Sequence, residues 1–522
     1  MVSFDESPML YWALGYFLLF GWVFFTCIGK PKQPNVVFLT IASFMLLMMR
    51  LPVIFHNKGL NQDESQMLAQ ALTLRQNPIL FESVDTTTGG PLSSYLLAFV
   101  NIFGLSLDFF TAHLLATALV IGSIILLYKA SEKLFGSTAS VLAIIPIIVF
   151  EALTQETDFV HYSSELMPLL IISLMLYSYA KNTNSSILFL GFLSVLTIFG
   201  KLQALPIAGI IAIYALAETI FNKQFKKSLL LIGGGILGLG LFSLLFWSWG
   251  VFDDVIDYYF IRNITAHTAE RPLYVSILHF PAFVAKNFDF LSIAILPLLT
   301  IVLNKNWSKK ISLHGGFIIS LLLVSIFSVI RTGSEYLHYL QLLIPPIVLV
   351  SSLLWSRIEL NKPTALNIKL IPFVLLAIYF IGNVVYKKFT KQPINKYPTQ
   401  DLTLSAVSKE ILKHAKSGEK LVVWGWNCDY YVETQMPQGT QENHIPYVVL
   451  PHKMQPEERQ KFMNDISRNK PKIFIDAVGK NSHWFNDKEK FKHENFRELK
   501  EYIENNYILV NFVDDVRIYK RK

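Results

Sequence analysis

Charge is scarce in this chain: Asp, Glu, Lys and Arg make up 16% of its 522 residues, against about 25% in a typical soluble protein. A wholly soluble chain is thereby disfavoured. Cysteine is scarcer still. Cys27 lies in an apolar run and Cys428 in the polar tail, and two such residues supply neither a disulfide framework nor a Cys-based zinc cluster. The polar tail also holds no phosphate loop and no GxGxxG, so nucleotide binding has no support there. What is abundant is apolar: 52% of the residues are hydrophobic and 14% aromatic, with a mean hydropathy of +0.41. Disorder is excluded by the same figures.

About 20 residues at 1.5 Å each cross a hydrocarbon core of roughly 30 Å. About twelve runs approach that length, at residues 10–28, 36–55, 109–128, 138–153, 166–180, 187–200, 202–221, 229–250, 290–303, 316–330, 337–355 and 368–386. The first follows Asp5 and Glu6 instead of a positive region and is too long for a secretory signal core, so it reads as a helix. Lys and Arg collect in every second loop: Lys30 and Lys32; Lys129 and Lys133; Lys181; Lys223, Lys226 and Lys227; Lys305, Lys309 and Lys310; Arg357, Lys362 and Lys369. Basic residues in short loops are retained on the cytoplasmic side. The N-terminus, residues 56–108, 156–165 and 252–289, and everything after Lys387 are therefore expected outside. The same bias accounts for the net charge of +8, which fits one leaflet of anionic lipid better than nucleic acid.

The expected organisation is a polytopic membrane domain over residues 1–386, carrying its first large outer loop at 56–108, and an outer soluble domain over 387–522. A linker with Pro393 and Pro398 joins them. In the tail, helices at 402–415, 457–467 and 496–505 alternate with strands at 421–425, 472–476, 507–512 and 516–519, which predicts a small α/β sandwich with some parallel pairing.

Chemistry-bearing residues gather in the outer loops. Asp63 and Glu64 open a helical segment just outside a membrane helix. Adjacent helical residues point about 100° apart, so the two carboxylates cannot flank one bond; one can act as a base while the other holds structure. An acidic first turn stabilising the helix is the plainer alternative. Thr86 to Pro91 and the apolar stretch 92–103 read as a turn before an interfacial helix. Glu156 and Asp158, with His161, Tyr162 and Glu165, form a second acidic group that reads either as solvated loop charges or as ligands of a divalent metal, although its spacing matches no zinc signature. Lys201 follows Gly200 at the expected outer end of a helix, the unfavourable side for a lysine, and reads either as a snorkelling side chain or, if buried, as a cation for a lipid phosphate. Arg331, Glu335, His338 and Tyr339 make a comparable outer group. Asp253, Asp254, Asp257, Tyr258, Tyr259, Arg262 and Asn263 read either as sugar ligands or as a solvated helix. The run Gly233, Gly234, Gly235, Gly238 and Gly240 lacks a following Gly-Lys-Ser/Thr and points to close helix packing.

Taken in order, Asp63-Glu64, Gly90-Pro91-Leu92 with its following helix, the basic turn ending in Phe135-Gly136, Asp158, Gly200-Lys201, and the segment from His338-Tyr339 to Pro345-Pro346 resemble the GT-C superfamily of polyprenyl-phosphate-sugar glycosyltransferases. Family 39, with protein O-mannosyltransferases and lipid A aminoarabinose transferases, is the nearest pattern. An additional helix precedes the one that opens onto the Asp-Glu loop, and Gly89-Gly90-Pro91 stands where paired prolines are usual. The resemblance implies a GT-C type fold and an inverting transfer from a polyprenyl-phosphate-linked sugar to a glycan, lipid or protein acceptor. It places the active site on the periplasmic face of a bacterial inner membrane, with no certain cofactor beyond a possible divalent metal. It also implies Asp63 as base, Glu64 as orienting group, Lys201 or Arg331 as partner of the leaving phosphate, and Glu156 or Asp158 as sugar ligands. A transporter or lipid-linked saccharide flippase is the rival class, but there ionisable residues gather near the bilayer midplane. An O-antigen polymerase or ligase is a third, less suited to the Asp-Glu loop with an α/β tail.

Overall fold

The computed structural model of the chain describes residues 3–28, 35–263, 271–303, 313–358 and 365–522. Lys30, Lys32, Lys305, Lys309, Lys310 and Lys362, six of the fourteen residues in the basic-loop pattern, lie outside the described residues. Every apolar run of the sequence is helical. Among the described residues, seven helices are long and apolar enough to cross a bilayer: Pro8–Ile28, Asn35–Ile54, Phe109–Phe135, Leu202–Phe221, Phe225–Ser248, Leu337–Ser356 and Leu370–Phe389. Leu273–Ala285 and Phe288–Leu299, bent by 105°, make an eighth if taken as one span.

Ser137–Leu153, Leu166–Lys181, Asn184–Gly200 and His314–Ile330 are apolar but shorter. At 1.5 Å per residue such helices rise about 25 Å, a little less than the hydrocarbon core. The chain is a multi-pass membrane protein of largely helical build. Within the stretch expected as an outer loop, the structure instead places the apolar helix Leu273–Ala285, and Asn287 caps the next helix by accepting from the Phe290 N–H at 2.9 Å.

The residues divide into two compact units. The first comprises Met1–Phe55, Leu114–Leu241 and Ala269–Thr399. Its innermost helix, Ser137–Leu153, is buried continuously from Ala139 to Leu153. Such all-round apolarity marks a helix enclosed by its neighbours. Arg50 on Asn35–Ile54 reaches it, donating to the Glu151 carboxylate at 2.6 Å and to the Glu151 carbonyl at 2.7 Å.

The glycine run behaves as expected at some positions only. A Cβ on Gly234 would stand 2.0 Å from the Leu188 carbonyl oxygen, and one on Gly191 would stand 2.0 Å from the Leu231 oxygen, so two backbones touch here. Gly233 and Gly240 face open space. Gly234→Ala is therefore expected to separate the two helices, at a cost of about 1–3 kcal/mol or more, while Gly233→Ala leaves stability unchanged. Thermal unfolding of the detergent-solubilised protein checks both, and equal behaviour of the two variants would refute the packing assignment.

The second unit comprises His56–His113, Phe242–Thr268 and Gln400–Lys522. Its sheet has the order β1-β2-β4-β3, from Leu421–Trp424 (β1), Ile473–Asp476 (β2), Tyr507–Val513 (β3) and Val516–Arg521 (β4). β1 and β2 are parallel, and the other pairs antiparallel. β1 and β2 are buried throughout, as parallel strands covered on both faces must be. Alternate side chains serve two cores. Leu421, Val423, Ile473 and Ile475 pack with Val407, Ile411 and Tyr431. Val422, Trp424 and Phe474 pack with Phe462, Ile466, Leu499 and Ile503. The first core also takes in Ala69, so the helix Gln62–Leu74 is built onto the sheet. Pro91–Asn101 follows Gly90, whose φ of 76° suits glycine. Beyond its buried Pro91, Ser93, Ser94 and Leu97, the rings and side chains of Phe99, Ile102 and Phe103 are exposed, as an interfacial helix requires.

Candidate functional site

Asn61 caps Gln62–Leu74 in the extended conformation, its side chain accepting from the Asp63 N–H at 3.0 Å. This fixes Asp63 and Glu64 in the first turn, where the helix end favours acids. Their environments then diverge. Glu64 is fully buried; its carboxylate accepts from the Leu60 N–H at 3.2 Å and pairs with His113 Nε2 at 3.1 Å. Asp63 stays partly exposed. One carboxylate is thus spent inside the fold and its neighbour remains at the surface, as the 100° step between them dictates.

The tail encloses this turn. Asn443 donates to the Gln66 carbonyl at 3.0 Å, and the Gln438 N–H donates to Thr73 Oγ1 at 3.0 Å. Buried Asp429 is pushed up to about 6, chiefly by burial, against a hydrogen bond from Ser65 and with Glu433 and Glu64 adding repulsion.

In the first unit, six of the residues singled out in the sequence come together. Lys201, 8% exposed, donates to Ser164 Oγ at 2.7 Å and is ion-paired with Glu165. His338 lies 3.9 Å from Glu165 and 3.7 Å from Asp158, and its ring is 5.5 Å from that of His161. The Lys201 ammonium sits 4.9 Å from the centre of the Tyr339 ring. Burial alone would raise Glu165; Lys201 and then His338 outweigh it and hold the carboxyl low. Gln341, which the sequence does not single out, belongs here as well. It is 1% exposed, accepts from Ser163 at 3.4 Å, and its amide N–H₂ has no acceptor among the described residues.

Glu156 and Arg331 are not joined to this cluster by any hydrogen bond or ion pair among the described residues. Glu156 accepts from its neighbour Thr157 at 3.0 Å. Glu335 turns instead to Arg271 and Lys286.

The acids of the 252–263 segment split. Asp253 and Asp257 are exposed, whereas Arg262 is fully buried and bonds Asp85 Oδ2 at 2.7 Å and Thr87 Oγ1 at 2.6 Å. Glu458 and Glu442 face the same guanidinium. Although burial opposes ionisation of Asp85, Arg262 and Lys461 hold its carboxyl below the usual range; Glu442 is driven up by burial and by Asp85. Asp254 and Tyr258 line an open polar pocket of about 570 Å³ with Trp249, Gln441, Glu457 and Arg468.

Among the described residues, the one group close enough to share a metal ion is Asp476, His493 and Glu494, which includes none of the loop acids Glu156, Asp158 and Glu165. There Arg517 already bonds both Asp476 and Glu494. The guanidinium takes the place of a cation, so the trio reads as an ion-pair network closing the sheet.

Neither a protein-family model nor a curated protein matches the chain. Solved structures do. ArnT from Cupriavidus metallidurans bound to undecaprenyl phosphate superposes with a TM-score of 0.56 at 11% identity, covering 93% of this chain and 97% of that one. The same protein in the apo state gives 0.55 at 11%, covering 93% and 98%. At such identity the likeness is one of fold. The chain has the GT-C type fold of ArnT over nearly its whole length, which meets the expected fold class; none of these comparisons tests the resemblance to family 39.

Proposed function

We propose that this protein is an inverting glycosyltransferase that moves a sugar from a polyprenyl-phosphate carrier to a glycan, lipid or protein acceptor at the periplasmic face of a bacterial inner membrane. One observation carries the reading: the chain shares its fold, nearly end to end, with ArnT, whose structure holds undecaprenyl phosphate. The divergence of Asp63 and Glu64 supports it. In the proposed step the acceptor oxygen bonds to the anomeric carbon while the bond from that carbon to the phosphate oxygen breaks, and Asp63 takes the hydroxyl proton. The polyprenyl phosphate departs as a stabilised anion, so it needs a cation rather than a general acid.

Lys201 is the weaker candidate for that cation, because Glu165 already neutralises it. Arg331, which has no carboxylate partner among the described residues, is the better one. Asp158, His161, Glu165, Lys201, His338 and Tyr339 then form a polar set suited to sugar hydroxyls, and Glu156 adds an acceptor from the same loop. Orientation follows from Lys129, Lys133, Lys181, Lys223, Lys226, Lys227 and Arg357 on the cytoplasmic side.

Mass spectrometry of surface glycans and glycolipids, in cells with and without the gene, tests the reading. The expected result is loss of one glycosyl mass with the gene, together with loss of polyprenyl phosphate release in membranes. Unchanged glycans with altered solute movement would establish the transporter class, and reporter fusions placing Asp63 in the cytosol would overturn the orientation.

A further inference from the structure

The loop that follows β2 presents a tryptophan in an unfavourable state. Trp484 has φ +64°, in the left-handed region that bulky side chains avoid, and its side chain is among the exposed large hydrophobics at 51%. The position is imposed by its surroundings. The His483 N–H donates to the Trp426 carbonyl at 2.8 Å, the Trp426 N–H donates to Ser482 Oγ at 2.9 Å, and Asn427 donates to the Asn481 carbonyl at 3.0 Å. Two turns, one after β1 and one after β2, are thus locked together. A strained conformation that the surroundings over-determine is a marker of functional sites.

Rings support this tryptophan. Trp426 meets it edge-on at 4.9 Å and 78°, and the His483 ring lies nearly parallel to it at 5.5 Å. Trp426 in turn packs at 4.8 Å on His444. Asn443, beside that histidine, bonds the Gln66 carbonyl one helical turn beyond Asp63. Burial holds His483 below the usual imidazole value, and the Asp63 charge is close enough to oppose that. Around the rings, the Trp426 indole N–H and Asn427 Oδ1 have no partner among the described residues.

We propose that Trp484, backed by Trp426 and His483, is a stacking platform for a saccharide ring of the acceptor and sets acceptor specificity beside Asp63. A pyranose offers a flat C–H face to an aromatic ring and a rim of hydroxyls to polar neighbours, and the platform supplies both kinds of partner. A lipid tail would want apolar surroundings instead of His, Asn and Asp. The placing of an acceptor here rests on the function proposed above; the stacking itself does not.

The test uses the full chain in detergent and the methyl glycosides of glucose, galactose, mannose and N-acetylglucosamine, read by saturation-transfer NMR. Wild type is expected to bind at least one of them. Trp484→Gly is expected to weaken that binding about tenfold or more, with an unchanged or higher unfolding temperature because glycine adopts this φ without strain. Trp484→Phe is expected to stay within about threefold of wild type. The proposal is overturned if no glycoside binds, if Trp484→Gly binds as wild type does, or if its binding falls only together with its stability. Trp484-dependent binding in a protein whose loss leaves every cell glycan unchanged would sink the proposed reaction and spare the platform.

Discussion

Asp63→Asn is expected to lower sugar transfer by about 10²–10⁴-fold, the usual contribution of a positioned base, in a protein that still folds and inserts. The amide matches the carboxylate in size but cannot take a proton from an acceptor hydroxyl. The cap of this helix runs from the Asn61 side chain to the backbone N–H of Asp63 and does not use the Asp63 carboxylate. Removing one first-turn acid costs about 0.3–1 kcal/mol, far less than a domain's stability.

Glu64→Gln provides the contrast. Its carboxylate is fully buried against His113 and the Leu60 N–H, so the loss there is expected in stability as well as in rate. The comparison is made in cells carrying each variant, by mass spectrometry of the glycan and by the amount of monodisperse protein extracted in detergent. Normal turnover by Asp63→Asn removes the base assignment whatever becomes of Glu64.

Much of this architecture is legible in the amino-acid sequence, and the reasons are local. The helices follow from apolar runs, and the strands Leu421–Trp424 and Ile473–Asp476 from short buried apolar stretches between polar turns. Lys201 stands out because a lysine at the helix end that the loop charges assign to the outer side is unexpected unless something holds it; Glu165 and Ser164 do. What stays hidden depends on pairing over long separations. Arg50 and Glu151 are 101 positions apart, and Arg262 is 177 from Asp85 and 196 from Glu458. No periodicity within a window of 11–18 residues can register such pairs. In sequence Arg262 therefore reads as a sugar ligand or as part of a solvated helix, whereas it closes a buried charge network. Trp484 is silent for a different reason: its backbone conformation is dictated by bonds from Trp426 and Asn427, and nothing in its own neighbours signals a left-handed turn.

Arg262→Met is expected to destabilise the second unit by about 3–5 kcal/mol, the range for a buried ion network that loses one partner. Methionine keeps much of the volume beside the Tyr447 ring, which lies 4.4 Å from the guanidinium, so the loss is electrostatic. Asp85, Glu442 and Glu458 would remain buried, with Lys461, 3.3 Å from Asp85, as the cation left beside that carboxylate. The pH dependence gives the sign. In wild type the depressed Asp85 contributes stability that is present above its unfolded value of about 3.9 and lost as pH falls further. Glu442, raised in the folded state, contributes oppositely: its share is complete below about 4.3 and fades as pH rises. Without the guanidinium, Asp85 joins Glu442 in holding protons more tightly folded than unfolded. The variant is therefore expected to be weakest relative to wild type near neutral pH and to recover towards about pH 5. Adding Asp85→Asn and Glu442→Gln to Arg262→Met should restore part of the loss, because a network removed whole costs less than one left half-paired. Thermal unfolding at several pH values decides the matter: a deficit of under about 1 kcal/mol, or one that does not shrink in acid, would show that the network contributes no more than surface pairs do.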